Sequence, residues 1–115
     1  MKLTINTKEL LAATQKVVGV VEKKQTMPIL GHILFEPGNE NITLTATDLE
    51  VQISAVAETQ GDITNSEAFT VSGRKLYDIV RSLQDETLSL ELKEDKLTLS
   101  TKKSTYRLST LSTQD

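Results

Sequence analysis

The chain has 115 residues, enough for one domain with one core, and with no Trp and only two Phe and two Tyr that core must be aliphatic. The absence of Cys excludes disulfides, thiolate metal sites and a cysteine nucleophile. A net charge of −3 argues on its own against nucleic acid, and the alternating, charged stretch from Met1 to Val20 reads neither as a signal peptide nor as a membrane span.

In chain order, Lys2 to Ile5 alternates as a short strand with Leu3 and Ile5 on one face. Asn6 or Thr7 can cap the helix that follows, because a short polar side chain accepts from the free N–H groups of a first turn. Leu10, Leu11, Thr14, Val17, Val18 and Val21 form its buried stripe, and Lys8, Ala12, Gln15, Lys16 and Lys23 lie on the other side. Gly19 reads as a terminator. Glu22 to Gln25 is a polar loop, and Met27-Pro28 forces an extended backbone. His32 to Glu36 is a strand, and the turn cluster Pro37 to Asn41 predicts a hairpin into Ile42 to Ala46. A second turn at Thr47-Asp48 leads into a strand with Val51, Ile53, Ala55 and Ala57 on one face. Gln60 to Glu67 reads as a polar loop between two halves. Phe69 and Val71 then belong to a strand, Ser72 caps a helix with Leu76, Ile79, Val80 and Leu83 inward, and Thr87 to Leu92, Lys96 to Ser100 and Thr105 to Ser109 are three more strands.

The second half restates the first. Lys2 to Val17 lies over Ala68 to Leu83 with Leu3 on Phe69, Ile5 on Val71, Asn6 on Ser72, Lys8 on Arg74 and Leu10 on Leu76. Ile42 to Ala46 matches Leu97 to Thr101, and Glu50 to Val56 matches Tyr106 to Ser112. Self-similarity at this spacing, present only twice, points to one pseudo-symmetric domain with halves at about 1–60 and 67–112. The plan is strand, helix, three strands, twice over. Two helices packed on one face of an antiparallel sheet make an α+β domain.

Catalytic chemistry finds little purchase. The one His, His32, sits in a strand and reads as a packed or surface residue. Asp48 and Glu50 are close in sequence, but a hairpin turn explains Asp48 and the polar face of the next strand explains Glu50. No phosphate-binding glycine loop and no metal-ligand spacing is present, so no cofactor or metal is expected. The charge distribution is more informative than its sum. Lys8, Lys16, Lys23 and Lys24 outnumber Glu9 and Glu22, and Arg74, Lys75 and Arg81 outnumber Asp78. Both helical segments are therefore positive on an otherwise acidic body. Pseudo-symmetry sets the helices side by side, so Lys16, Arg74 and Arg81, with Gln15 and with Lys23 and Lys24 at the edge, share one surface. Such a surface suits sequence-independent contact with phosphates. It carries no aromatic platform for single strands and no recognition helix. The alternative is a small protein-interaction module that binds through its sheet edge, with the basic helix faces merely solvated.

The runs TMPILGHILFE (Thr26 to Glu36), TDLEVQISA (Thr47 to Ala55), TVSGRKLYDIVRSL (Thr70 to Leu83) and YRLSTL (Tyr106 to Leu111), with the opening MKLTI, resemble the bacterial DNA sliding clamp family, the beta subunit of DNA polymerase III. The resemblance covers the whole chain and corresponds to the first of three similar domains in that family. It implies the DNA-clamp fold and a non-enzymatic processivity factor of DNA replication. Two subunits close head to tail around double-stranded DNA, helices inward, and tether the polymerase in the bacterial cytoplasm. It implies Lys24 as a DNA-reaching loop residue and Gln15, Lys16, Arg74 and Arg81 as pore-facing positions. A residue often basic in the family is Ala12 here. It further implies that the strand Lys103 to Ser109 pairs with a second clamp subunit. Tyr106 and Leu108 would be the apolar contacts there and Lys75 and Lys103 the polar ones, although alternation equally lets Tyr106 and Leu108 face the domain's own core. Polymerase and clamp-loader contacts are implied for later domains outside this chain.

Overall fold

A computed structural model of the chain describes residues 2–19, 31–38, 40–47, 51–62, 67–84 and 86–112. The first half consists of β1 (Lys2–Asn6), α1 (Thr7–Val18), β2 (His32–Pro37), β3 (Asn41–Thr47) and β4 (Gln52–Asp62). The second consists of β5 (Phe69–Ser72), α2 (Gly73–Ser82), β6 (Thr87–Lys93), β7 (Lys96–Ser100), β8 (Thr105–Ser109) and β9 (Leu111–Ser112). The repeat extends to its helix caps. Asn6 is extended and its Oδ1 accepts from the Glu9 amide at 3.1 Å, and Ser72 Oγ accepts from the Lys75 amide at 3.3 Å. On α1, Leu10, Ala13, Thr14, Val17 and Val18 are buried at helical spacing, and the Thr14 hydroxyl is satisfied by donating to the Leu10 carbonyl at 2.7 Å. Leu76 and Val80 anchor α2, with Ile79 and Leu83 partly buried against the same core. Val21, expected on the α1 stripe, lies outside the described residues.

The strands pair antiparallel in the order β8-β7-β6-β1-β4-β3-β2-β5-β9. The halves are interleaved rather than merely adjacent. β1 pairs with β6 of the second half, and β5 pairs with β2 of the first. The equivalences are maintained in register: Leu3 opposes Leu90 where Phe69 opposes Phe35. The two phenylalanine rings stack at 5.2 Å between centroids, the aromatic counterpart of the leucine pair. Apart from this pair the core is aliphatic, with Leu, Ile, Val and Ala from every long strand and from both helices.

Three details differ from the sequence reading. The expected loop from Gln60 begins instead as strand, because β4 continues to Asp62 and pairs over its last residues with β1. Thr59 faces inward there, and Gly61, with a φ of +123°, brings its backbone so close to Leu3 that an added Cβ would sit 2.8 Å from the Leu3 Cα. The match of Glu50–Val56 to Tyr106–Ser112 is out of step. Ile42 opposes Ala57 and Leu97 opposes Leu108, so Ala57 is the equivalent of Leu108. The β3–β4 hairpin pairs two residues further toward its tip on each strand, to Thr47 and Gln52, and this length difference makes up four of the five residues by which the match is displaced. Lastly, β9 is an additional short strand.

β4 and β8–β9 are equivalent connectors. Each runs along one partner and then switches to another. β4 switches from β3 to β1, and β8–β9 switches from β7 to β5. At each switch a threonine amide bonds back to a turn carbonyl, Thr59 to Glu40 at 3.0 Å and Thr110 to Asp95 at 2.9 Å. Each of those turns contains a glutamate with positive φ, Glu40 at 64° and Glu94 at 59°. The switch leaves the Gln52–Glu58 stretch of β4 and all of β8 paired on one side only among the described residues.

Candidate nucleic-acid interface

The apolar stripes that bury one side of each helix decide what the other side presents. α1 and α2 pack against each other, with α1 over β3 and β4 and α2 over β2, β5 and β8. Lys8, Glu9, Ala12, Gln15 and Lys16 of α1 are exposed, as are Arg74, Lys75, Asp78 and Arg81 of α2. The helix pair therefore presents five basic and two acidic side chains to solvent. Lys16 falls in the last turn of α1 and Arg81 in the last turn of α2, where a cation also offsets the negative end of the helix dipole. Gln15, Lys16, Arg74 and Arg81 are thus brought onto neighbouring helices and into water. Lys23 and Lys24 lie outside the described residues.

The cations differ in their surroundings. Arg81 Nη2 lies 3.3 Å from Asp78 Oδ1, and its guanidinium carbon lies 5.4 Å from the centroid of the Tyr77 ring. Both partners precede Arg81 by about one helical turn, the spacing at which helix side chains meet. Among the described residues, Lys16 and Arg74 make no ion pair. The signal for this cluster in the sequence is spacing alone, with Asp78 three and Tyr77 four residues before Arg81.

At the proposed edge, β8 alternates Thr105, Arg107 and Ser109 outward. Tyr106 is half-buried against the core, while Leu108 is only 7% exposed and is part of it. Of the two readings left open for Leu108, its own core is therefore the one observed, because Leu108 opposes the buried Leu97 on the inner face. Lys103 is exposed beside the start of β8, its amide bonded to Thr101 Oγ1 at 3.2 Å, and Lys75 is exposed at the start of α2.

Elsewhere the polar groups are accounted for structurally. His32 Nδ1 lies 3.0 Å from Thr70 Oγ1, and its pKa is lowered by burial and, secondarily, by the Lys75 ammonium. It is a partnered strand histidine. A cleft of about 830 Å³ between the start of α1 and β4 has Glu9, Glu40 and Glu58 as its charged lining, a sign unsuited to phosphate. Asp48 and Glu50 lie outside the described residues. Among the described residues no cluster of His, Asp and Glu could hold a metal ion, and no helix is long and apolar enough to cross a membrane.

The family model for the DNA polymerase III beta subunit, N-terminal domain, matches residues 1–115. A beta sliding clamp of Pseudomonas putida is 37% identical over 116 residues, covering 100% of this chain and 31% of that protein. One from Vibrio harveyi is 34% identical, covering 100% of this chain and 79% of its own length. Among solved structures, the DNA polymerase sliding clamp from Caulobacter crescentus superposes with a TM-score of 0.92 at 35% identity, over 100% of this chain and 31% of that one. The Helicobacter pylori beta clamp bound to a DNA ligase peptide superposes at 0.91 with 27% identity, over 100% of this chain and 32% of its own. The chain thus spans about a third of the length of most of these relatives.

Proposed function

Since the chain belongs to the DNA polymerase III beta subunit family, as its N-terminal domain, we propose that it is one arc of a ring-shaped clamp that encircles double-stranded DNA, slides, and tethers the replicative polymerase. In this reading the protein is a processivity factor and not an enzyme, and it works in the bacterial cytoplasm at the nucleoid. The 115 residues form a single domain, and the later domains of a longer protein carry the polymerase and clamp-loader contacts. The helix face supplies the DNA contact through Gln15, Lys16, Arg74 and Arg81, with Lys23 and Lys24 further along the chain. One observation carries the reading: a twofold-repeated fold sets two helices side by side and puts five basic against two acidic exposed side chains on them, within an acidic chain.

Backbone-directed cations bind without reading sequence, which sliding requires. The two half-paired strand stretches suit ring closure, because an open edge is a ready template for another strand. β8, with Lys103 beside its start and backed by Tyr106 and the rim of Leu108, takes the second subunit head to tail, and Lys75 of α2 adds a polar contact. Its repeat equivalent, the Gln52–Glu58 stretch of β4, adjoins the next domain.

The test is topological. The longer protein containing this chain, closed on a nicked circular duplex, is expected to stay bound through a wash of high salt and to be released when the circle is cut. Equal retention on circular and linear duplex would refute the encircling reading. Salt-insensitive capture that depends on β8 but not on DNA would instead favour the edge-binding module.

A further inference from the structure

Arg81 differs from the other cations of the helix face in already holding an anion. Asp78 occupies one edge of its guanidinium at 3.3 Å, and the Tyr77 ring lies 5.4 Å from its central carbon. Both side chains of the ion pair are about half exposed, 59% for Arg81 and 49% for Asp78, so the pair sits in water on the face where phosphate would arrive. A carboxylate and a phosphate are interchangeable ligands for a guanidinium, each accepting parallel N–H bonds from its planar fork.

We infer that Asp78 is a built-in competitor for phosphate at Arg81, a positioning residue that keeps the α2 grip on DNA weak and readily exchanged. The inference rests on the reading of the helix face as DNA-facing and deepens it. A phosphate reaching Arg81 must share or displace Asp78. In either case the local charge it meets is near zero, so the contact releases about one counterion fewer than a free arginine would. Tyr77 holds the guanidinium plane over its ring while the anion exchanges. An exposed pair is weak enough to open readily, which makes it a moderator rather than a lock. For a protein that must move along a duplex, a contact with its replacement ligand already at hand lowers the cost of letting go.

The experiment is a titration of the 115-residue chain with a short mixed-sequence duplex, followed by amide and arginine side-chain NMR signals. Salt is varied from about 20 to 100 mM, where backbone contacts are strong. Asp78→Asn is expected to tighten binding about two- to fivefold, the range an exposed ion pair spans. It should also steepen the slope of log affinity against log salt by about 0.9. In an Arg81→Gln background the gain should shrink to the smaller one given by Glu9→Gln, a plain charge removal whose effect should be the same in both backgrounds. A gain from Asp78→Asn that is undiminished in Arg81→Gln would show Asp78 acting only as a charge and overturns the inference. If Asp78→Asn changes nothing while Lys16→Gln and Arg74→Gln weaken binding, the inference is overturned and the DNA-facing reading stands. If no amide of α1 or α2 responds to duplex, both fall. In the free protein, the Arg81 Nε–H signal should move on Asp78→Asn, and an unchanged signal also counts against the pair.

Discussion

Gly61→Ala should be among the most damaging small substitutions in this protein. Gly61 lies inside β4, opposite Leu3, at a φ of +123° that side-chain-bearing residues rarely adopt. The strain of holding alanine there is about 1–3 kcal/mol. The new methyl would also sit 2.8 Å from the Leu3 Cα and 2.8 Å from the Lys2 carbonyl oxygen. Both are backbone atoms, so relief requires β1 to move and to give up ladder bonds worth about 1 kcal/mol each. The sum is about 2–4 kcal/mol, a large share of the 5–15 kcal/mol typical of a domain. At about 4 °C per kcal/mol for a chain of this size, the melting midpoint should fall by about 8–16 °C. Urea unfolding followed by circular dichroism measures the change, and hydrogen exchange should show lost protection at Leu3 and Ile5 before the β6–β7 hairpin. Gly19→Ala is the internal control. Gly19 has nothing within 4 Å of an added Cβ and a helical φ of −62°, so the substitution should be neutral or stabilise by up to about 1 kcal/mol. A Gly61→Ala midpoint within error of Gly19→Ala would refute the close-approach argument.

Three further outcomes follow from the structure. Phe35→Ala removes a fully buried ring stacked on Phe69 and should cost about 3–5 kcal/mol by denaturant unfolding, with Phe35→Leu costing less than half of that. His32 has a lowered pKa in the folded chain, so the unfolded chain binds the proton more tightly and stability is lost as pH falls through the histidine range toward the folded value. Unfolding midpoints between about pH 7 and pH 5 should drop for the wild type, and His32→Gln should flatten that step. On the proposed DNA-facing reading, replacing Lys16, Arg74 and Arg81 together by Glu should abolish the low-salt binding of a short duplex by this chain in a fluorescence anisotropy assay. Because all three are exposed, each change should alter folding stability by no more than about 0.5 kcal/mol.

Much of the architecture was legible because two kinds of local signal agree along the chain. Leu3 and Ile5, and then Ile42, Leu44 and Ala46, alternate as strands do, while Leu10, Thr14, Val17 and Val18 recur as a helix does. Asn6 and Ser72 mark both helix starts, and both cap as their chemistry requires. The repeat then placed α1 and α2 as equivalents, and from that came the exposure of Gln15, Lys16, Arg74 and Arg81. Most elements, most of their buried faces and the basic character of the helix pair thus follow from local pattern, though Val51, expected on the buried face of its strand, is exposed. Each of these depends on residues within a few turns of one another.

What depends on partners distant in the chain was settled by packing. The exchange of β1 and β5 between halves, the continuation of β4 past Gln60, and the register that equates Ala57 with Leu108 are all set by strand pairing. The longer hairpin, two residues on each strand, accounts for four of the five residues between Gln52, which the sequence match sets on Leu108, and Ala57. An even shift keeps every side chain on its face, but the odd remainder sets exposed Gln52 on buried Leu108, a mismatch that alternation does show. Leu108 could equally have faced a partner or the core until Leu97 was found opposite it. The pairing of Arg81 with Asp78 and Tyr77 was available to the sequence as spacing. Its realisation in one rotamer, at 3.3 Å and 5.4 Å, belongs to the fold. Local patterns are satisfied by the chain alone, whereas register and edges are satisfied only by what lies alongside, and there the packed core made the choice.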